Sequence, residues 1–139
     1  MVRNTMLIEE ELTEQIIAAA IEVHRFWGPG LNEETYQRSL YHELRLRGLN
    51  FIHQLGLPLL YKGEQIADDL RMDVWVEDKI VVENKAVKDL LPVHEAQLLT
   101  YMRLTKSRVG LLSNSNVALL KDGIKRGYFD APKITTEVR

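Results

Sequence analysis

Residues 71–87, with the sequence RMDVWVEDKIVVENKAV, decide the fold of this chain. Two runs of apolar, mostly β-branched residues flank a short polar segment, a pattern typical of two strands joined by a tight turn. We predict strands over residues 69–76 and 79–87, with the turn at residues 77–79. The many apolar residues predict that most of this hairpin is buried.

Three charged side chains on this hairpin are predicted to lie together. Glu83 and Lys85 are two residues apart, so they point to the same face of a strand. A turn centred on Asp78 places Asp73 opposite Glu83, to within one residue, with about 5 Å between the Cβ atoms. Two carboxylates this close repel each other unless a proton or a cation lies between them. Because such oxygen ligands suit Mg²⁺ or Mn²⁺, and a lysine can orient water or offset phosphate charge, the patch indicates metal-assisted phosphodiester hydrolysis.

The alternative interpretation of this patch is a solvated strand face. Charged residues on strands usually face water, and a spacing of this kind also arises by chance. The apolar neighbours weigh against that interpretation, because ionised groups are seldom buried without partners.

The rest of the chain predicts helices around the hairpin and further strands beside it. Apolar residues recur at helical spacing in three segments, bounded by Asn, Pro or Gly. The predicted helices are residues 13–27, 33–47 and 93–105. Further strands are predicted at residues 51–60, with interruptions at Gly56 and Pro58, at residues 108–113, and around Ile124. This order predicts an α/β fold of the α+β type, a mixed central sheet flanked by helices, in one domain over residues 1–139.

The second predicted helix carries a further candidate acid. Glu33, Tyr36 and Leu40 fall at intervals of three or four residues, so they share one helix face. Tyr36 and Leu40 belong to an apolar stripe, which places Glu33 at the end of the core-facing side. Alternatively, Glu33 only complements the positive end of the helix dipole. The sequence leaves both interpretations open.

The third predicted helix has a mixed polar and aromatic face. His94, Gln97 and Tyr101 recur at intervals of three or four residues. Gln97 and Tyr101 are one turn apart and can be neighbours at a site. The alternative is a capping histidine, a surface glutamine and a core tyrosine.

The composition excludes several classes of protein. The chain has 139 residues, a formal net charge of −2 and no Cys. This charge is not that of a protein whose main task is to coat nucleic acid. Without Cys, disulfides and thiolate metal sites are excluded. There is no apolar run of membrane-spanning length and no signal-peptide pattern at the N-terminus, so we expect a cytoplasmic protein without membrane contact.

Several motifs together resemble a known family. The run GLNEETY at residues 30–36 resembles the signature of the GxxExxY proteins, a group assigned to the PD-(D/E)XK nuclease superfamily. The resemblance continues through YHELRLRGL, RMDVWVEDKIVVENKAV, LPVHEAQLLTYMR, VGLLSN and LKDGIKR, in the same order. It implies a restriction-endonuclease-like αβββαβ core with an extra N-terminal helix.

The resemblance also implies roles for individual residues. The helix would contribute Glu33, the hairpin would contribute the metal-binding acids Asp73 and Glu83, and Lys85 would be the lysine of the E-x-K element. Gln97 and Tyr101 look like the glutamine and tyrosine that follow in some nuclease families of this superfamily.

Two residues depart from the pattern of the superfamily. Met72 replaces the Pro that gives the superfamily its name, and Asn84 stands where an apolar residue is usual. Residue 84 points away from Glu83 and Lys85, and an Asn there needs hydrogen-bond partners if it is buried.

The leading hypothesis is therefore a nuclease that depends on Mg²⁺ or Mn²⁺ and cuts DNA or RNA, with DNA the first choice. The catalytic candidates are Asp73, Glu83, Lys85, Glu33 and Gln97. The metal-binding candidates are Asp73, Glu83, Glu33 and the backbone carbonyl of Asn84, and the substrate-binding candidates are Tyr36, Tyr101 and His94. One alternative is a nucleic-acid-binding or regulatory module without robust catalysis. Another is an assembly role as a homodimer, with the apolar first helix as the interface.

Overall fold

The computed structural model describes residues 9–129, which form a mixed sheet between helices. In chain order the elements are α1 (Glu10–Trp27), α2 (Glu33–Leu46), β1 (Phe51–Tyr61), β2 (Glu64–Val76), β3 (Ile80–Lys85), α3 (Pro92–Thr105), β4 (Val109–Asn114), a 3₁₀ turn (Leu120–Gly123) and β5 (Ile124–Tyr128). The strand order is β1-β2-β3-β4-β5. Only β3 and β4 are parallel among the pairs in this sheet, and α3 connects them. The predicted α/β fold with a mixed central sheet is confirmed.

The two faces of the sheet carry separate apolar cores. The α1 and α2 side buries residues of both helices against β2, β3 and β4, among them Ile16, Leu40, Leu44, Val74 and Val82. The α3 side buries Met72, Val81, Leu98, Met102 and Leu112. Because β3 is covered on both faces, all six of its residues are buried or half-buried. A charged side chain on β3 is therefore held in an environment with little water.

Local signals fix the ends of the helices that flank the site. Asn32 accepts a hydrogen bond from the Thr35 N–H at 2.8 Å, which makes it the predicted N-cap of α2. Gly48 follows α2 with φ +73°, a conformation that favours glycine. Helix α1 begins at Glu10, three residues before the predicted start at Thr13, and ends at Trp27 as predicted, directly before Gly28. No helix in residues 9–129 is long and apolar enough to cross a membrane.

The hairpin of β1 and β2 is longer than the sequence predicted. An interruption at Gly56 and Pro58 was predicted, but β1 is continuous from Phe51 to Tyr61, and β2 begins at Glu64 instead of residue 69. The prediction was wrong because β1 lies at the edge of the sheet, where the missing N–H of Pro58 is tolerated. Register shifts on either side of Leu59 absorb the irregularity.

Candidate active site

The backbone pairing between β2 and β3 ends at the two predicted acids, Asp73 and Glu83. Their pairing runs from Val76↔Ile80 to Val74↔Val82, and the next position places Asp73 opposite Glu83. There the Asp73 N–H donates to Glu83 Oε2 at 2.9 Å, and the Asn84 N–H donates to Asp73 Oδ2 at 2.9 Å. The two carboxylates thus accept from backbone N–H groups that a regular ladder pairs with backbone carbonyls. The strands are held apart, and both acids are fixed in the gap.

Burial and mutual repulsion disfavour two negative charges in this gap. Only 2% of Glu83 is exposed. Burial, and then the charge of Asp73, raise the pKa of Glu83 to about 8. Burial also raises the pKa of Asp73, against the opposing effects of the Asn84 N–H and of Lys85. A proton or a cation relieves this repulsion.

Glu33 and Lys85 complete the charged cluster. Glu33 is the first residue of α2 and is half-buried. Burial raises its pKa, Lys85 lowers it and Asp73 raises it again, so Glu33 interacts electrostatically with both hairpin residues. The structure therefore brings together four residues that the sequence had placed on three separate elements: Glu33, Asp73, Glu83 and Lys85.

The residues of the cluster fit a hard divalent cation held by few protein ligands. In the part of the chain from residue 9 to residue 129, no three or more His, Cys, Asp and Glu side chains are grouped to hold a metal ion. Mg²⁺, however, commonly uses one or two carboxylates and keeps several waters. Asp73 and Glu83 supply two such carboxylates in a gap where neither charge is compensated well.

The candidate residues of α3 contact the backbone of β2 and the start of their own helix. Gln97 Nε2 donates to Tyr101 Oη at 3.1 Å, and that hydroxyl donates to the Arg71 carbonyl at 3.0 Å. Burial, and then the charges of Glu83 and Asp73, raise the pKa of Tyr101 to about 12. His94 Nδ1 accepts from the Leu91 N–H at 2.9 Å at the start of α3. The pair of Gln97 and Tyr101 supports the β2 backbone two residues before Asp73, and His94 occupies a capping position.

Tyr36 is buried, and its hydroxyl group contacts the loop between α1 and α2. Its hydroxyl donates to the Gly28 carbonyl and accepts from the Leu31 N–H at 3.3 Å. It thereby holds residues 28–31, the loop that precedes Glu33. A contact of Tyr36 with substrate stays a prediction.

The model of one family matches most of this chain. The family is described as the PD-(D/E)XK nuclease superfamily, and the match covers residues 10–127. This chain belongs to the PD-(D/E)XK nuclease superfamily. No curated protein and no solved structure matches the chain.

Three further residues touch the site and were missed in the sequence. The Tyr41 hydroxyl donates to the Asp73 carbonyl and to Gln37 Oε1, each at 3.3 Å. Hydrogen bonds from the Gln37 and Gln54 side chains lower the pKa of Asp73. Gln37 and Tyr41 lie four and eight residues after Glu33, so they share a helix face with it. The apolar stripe through Tyr36 is the stronger periodic signal on this helix, and Gln54 carries no signal in its own strand.

Asn84, which stands where the superfamily usually has an apolar residue, is buried with a polar atom that is unpaired within the described part of the chain. Its side chain is 7% exposed, and its Nδ2 finds no hydrogen-bond partner within residues 9–129. It lines a cavity of about 20 Å³ together with Tyr36 and Ser113. A buried donor without a partner costs about 1–3 kcal/mol.

Replacing Asn84 by Val is therefore expected to raise the free energy of unfolding by about 1 kcal/mol, because the unpaired donor is removed and Val favours strands. Urea unfolding followed by circular dichroism measures the change. Ser115→Val is the contrasting variant, since the Ser115 hydroxyl donates to the Lys85 carbonyl at 3.2 Å and its loss should destabilise the fold. A lower stability of Asn84→Val would show that Nδ2 has a partner in solution.

Proposed function

We propose that this chain is a metal-dependent nuclease that hydrolyses phosphodiester bonds of nucleic acid, with DNA as the first candidate substrate. One observation carries the proposal. Asp73 and Glu83 accept from each other's strand in a buried gap, and their raised pKa values come from burial and mutual repulsion. Burial and pairs of like charges that shift pKa values in this way are concentrated at active sites.

Asp73 and Glu83 would hold Mg²⁺ or Mn²⁺, with the backbone carbonyl of Asn84 as a further ligand and Glu33 acting through water. When bound, the cation supplies Lewis-acid stabilisation of the phosphate and lowers the pKa of a bound water. The chain's own groups do the rest of the work. Lys85 orients the attacking water or offsets the charge that builds up on the phosphate oxygens.

The remaining residues position those groups. The Tyr101 hydroxyl, held by Gln97, fixes the β2 backbone at Arg71 and with it the direction of the Asp73 side chain. His94 lies at the start of the same helix and, with Tyr36, remains a candidate for contact with the sugar-phosphate backbone. In the reaction, the water oxygen bonds to phosphorus, the ester P–O bond breaks, and the leaving oxygen takes up a proton.

Incubating the chain with labelled single- and double-stranded DNA and RNA tests this proposal. We expect cleavage with Mg²⁺ or Mn²⁺ and none after EDTA removes the cation, because the acids cannot approach a phosphate while uncompensated. Denaturing gels measure the products. Cleavage that persists in EDTA, or no cleavage of any of the four substrates with either metal, would overturn the assignment.

A second candidate function is a binding or regulatory module that keeps the fold without robust catalysis. The formal net charge of −2 favours the regulatory form of this function over nucleic-acid binding, because little positive charge is available to grip a phosphate backbone. Calorimetric titration with Mg²⁺ separates the two functions, since a binding module has no need of a cation at Asp73 and Glu83.

Two finer assignments accompany the proposal. We infer from Gly30, Glu33 and Tyr36, which match the GxxExxY signature, that the chain falls in that group of the superfamily.

We also infer that two copies pair through the end of α1. The apolar stripe of α1 packs within the chain, but Phe26 is 76% exposed beside the partly exposed Trp27. Light scattering tests the pairing.

A further inference from the structure

A groove of about 530 Å³ opens beside Asp73, on the side of α2. Its lining includes Glu33, Gln37, Tyr41, Gln54 and Asp73. Its volume is in the range of about 300–1,000 Å³ that is usual for small-molecule sites. The groove therefore has room for one part of a nucleotide directly next to the acids.

The charges of the groove select which part of a nucleotide fits. Glu33, Glu34 and Asp73 line it, with Arg38 as a cation that already lies 3.8 Å from Glu34. A phosphate entering here would meet excess negative charge, so the groove suits a neutral polar group. Gln37 and Gln54 offer such a group both donors and acceptors, as the edge of a nucleobase requires.

The backbone of Gln54 is held in an unusual conformation. Its φ is +53°, although it is not glycine and lies within β1. The flanking pairs His53↔Val74 and Leu55↔Met72 place Gln54 opposite Asp73. Positive φ costs a non-glycine residue stability and tends to occur where function requires it. Here the conformation brings the Gln54 amide to Asp73 and to Gln37 Oε1, which it approaches to 3.5 Å.

An aromatic surface adjoins the two amides. The exposed His53 ring lies with its centroid 4.5 Å from that of Tyr41, and both are on the α2 side of β1. Exposed aromatic rings bind unpaired bases by stacking, in a way that tolerates any base. Two amide groups that line the groove, and an exposed ring that lies against its Tyr41 wall, are the two components of a base-binding subsite.

We propose that this groove binds one nucleobase of the substrate, next to the phosphate that is cleaved. Gln37 and Gln54 bond to the edge of the base, and His53 stacks on its face. The inference rests on the proposed nuclease function for its biological meaning. It is nevertheless testable without cleavage, because free mononucleotides carry the same base.

Titration with nucleoside 5′-monophosphates, followed by ¹H–¹⁵N NMR, tests the subsite. The side-chain amide signals of Gln37 and Gln54 should shift with the mononucleotides, and should not shift with ribose 5-phosphate, which lacks a base. Gln54→Ala should weaken mononucleotide binding about tenfold. Gln54→Gly should do the same and adopts the positive φ without strain, so it keeps the fold. Gln65→Ala, at an exposed position of β2, is the matched control and should bind as the unaltered chain does.

The outcomes separate this inference from the nuclease assignment. Equal amide shifts with ribose 5-phosphate, or unchanged binding in both Gln54 variants, would overturn the base subsite even if the chain cleaves DNA. Base-dependent shifts in a chain that cleaves nothing would support the subsite and reject the nuclease. If Gln54→Ala instead abolishes Mg²⁺ binding in calorimetry and leaves mononucleotide binding intact, Gln54 positions Asp73 and the subsite is wrong.

Discussion

Replacing Asp73 by Asn is expected to lower the rate of phosphodiester cleavage by on the order of a thousandfold, and Lys85→Met by a comparable factor. Asn keeps an oxygen that can accept from the Asn84 N–H, so the backbone of the gap is preserved while the charge is lost. Since the pKa of Asp73 is already raised by burial, removing its charge should not destabilise the fold. Loss of activity would then report on chemistry alone.

Rates of cleavage under single-turnover conditions measure this effect. The same hairpin offers matched controls at its other end, where Asp78 and Lys79 are exposed in the turn. Asp78→Asn and Lys79→Met change the charge by the same amounts without touching the gap, and should keep full activity. If Asp73→Asn or Lys85→Met cleaves as fast as these controls, the site lies elsewhere.

Replacing Glu83 by Gln is expected to change how stability depends on pH. The pKa of Glu83 is raised from 4.5 to about 8 in the folded chain, so the folded state binds its proton more tightly than the unfolded state. The associated stability is fully present below pH 4.5 and is lost as the pH rises through about 8. A pKa difference of this size corresponds to about 5 kcal/mol. Gln has no such proton to lose, so the variant should be the more stable chain at pH 9.

Urea unfolding at intervals between pH 4 and pH 9, in EDTA, measures both curves. The difference between Glu83→Gln and the unaltered chain should be small at pH 4 and should grow as the pH rises, with the remaining slope coming from Asp73 and Glu33. Adding Mg²⁺ at pH 9 should stabilise the unaltered chain and leave the variant nearly unchanged. Parallel curves for the two chains at all pH values would mean that Glu83 is ionised and compensated in the fold.

The parts of the fold and site that follow from local patterns could be predicted from sequence. Asn32 and Gly48 bound α2 by capping chemistry, and the turn at Asp78 places Asp73 opposite Glu83 by strand pairing alone. These features depend on residues close to each other along the chain. The positions of α2 and β2–β3 followed for that reason, and with them the acids that those elements carry.

The features that depend on contacts between residues far apart in the sequence could not be predicted. Nothing near Pro58 in the chain reveals that β1 lies at a sheet edge, where proline is tolerated. Gln54 approaches Asp73 because two strands are paired and one residue adopts positive φ. Gln37 was within reach of sequence reasoning, since it follows Glu33 by one helical turn. The apolar stripe through Tyr36 is nevertheless the stronger signal in this segment.

The edge position of β1 also bears on how the chain avoids strand-to-strand aggregation. An edge strand of 11 residues, running from Phe51 to Tyr61, presents unpaired backbone groups on which another molecule could add a strand. Pro58 removes one donor from this row, and the register shifts around Leu59 break its regular spacing. The same irregularities that hid the strand in the sequence thus make it a poor template for aggregation.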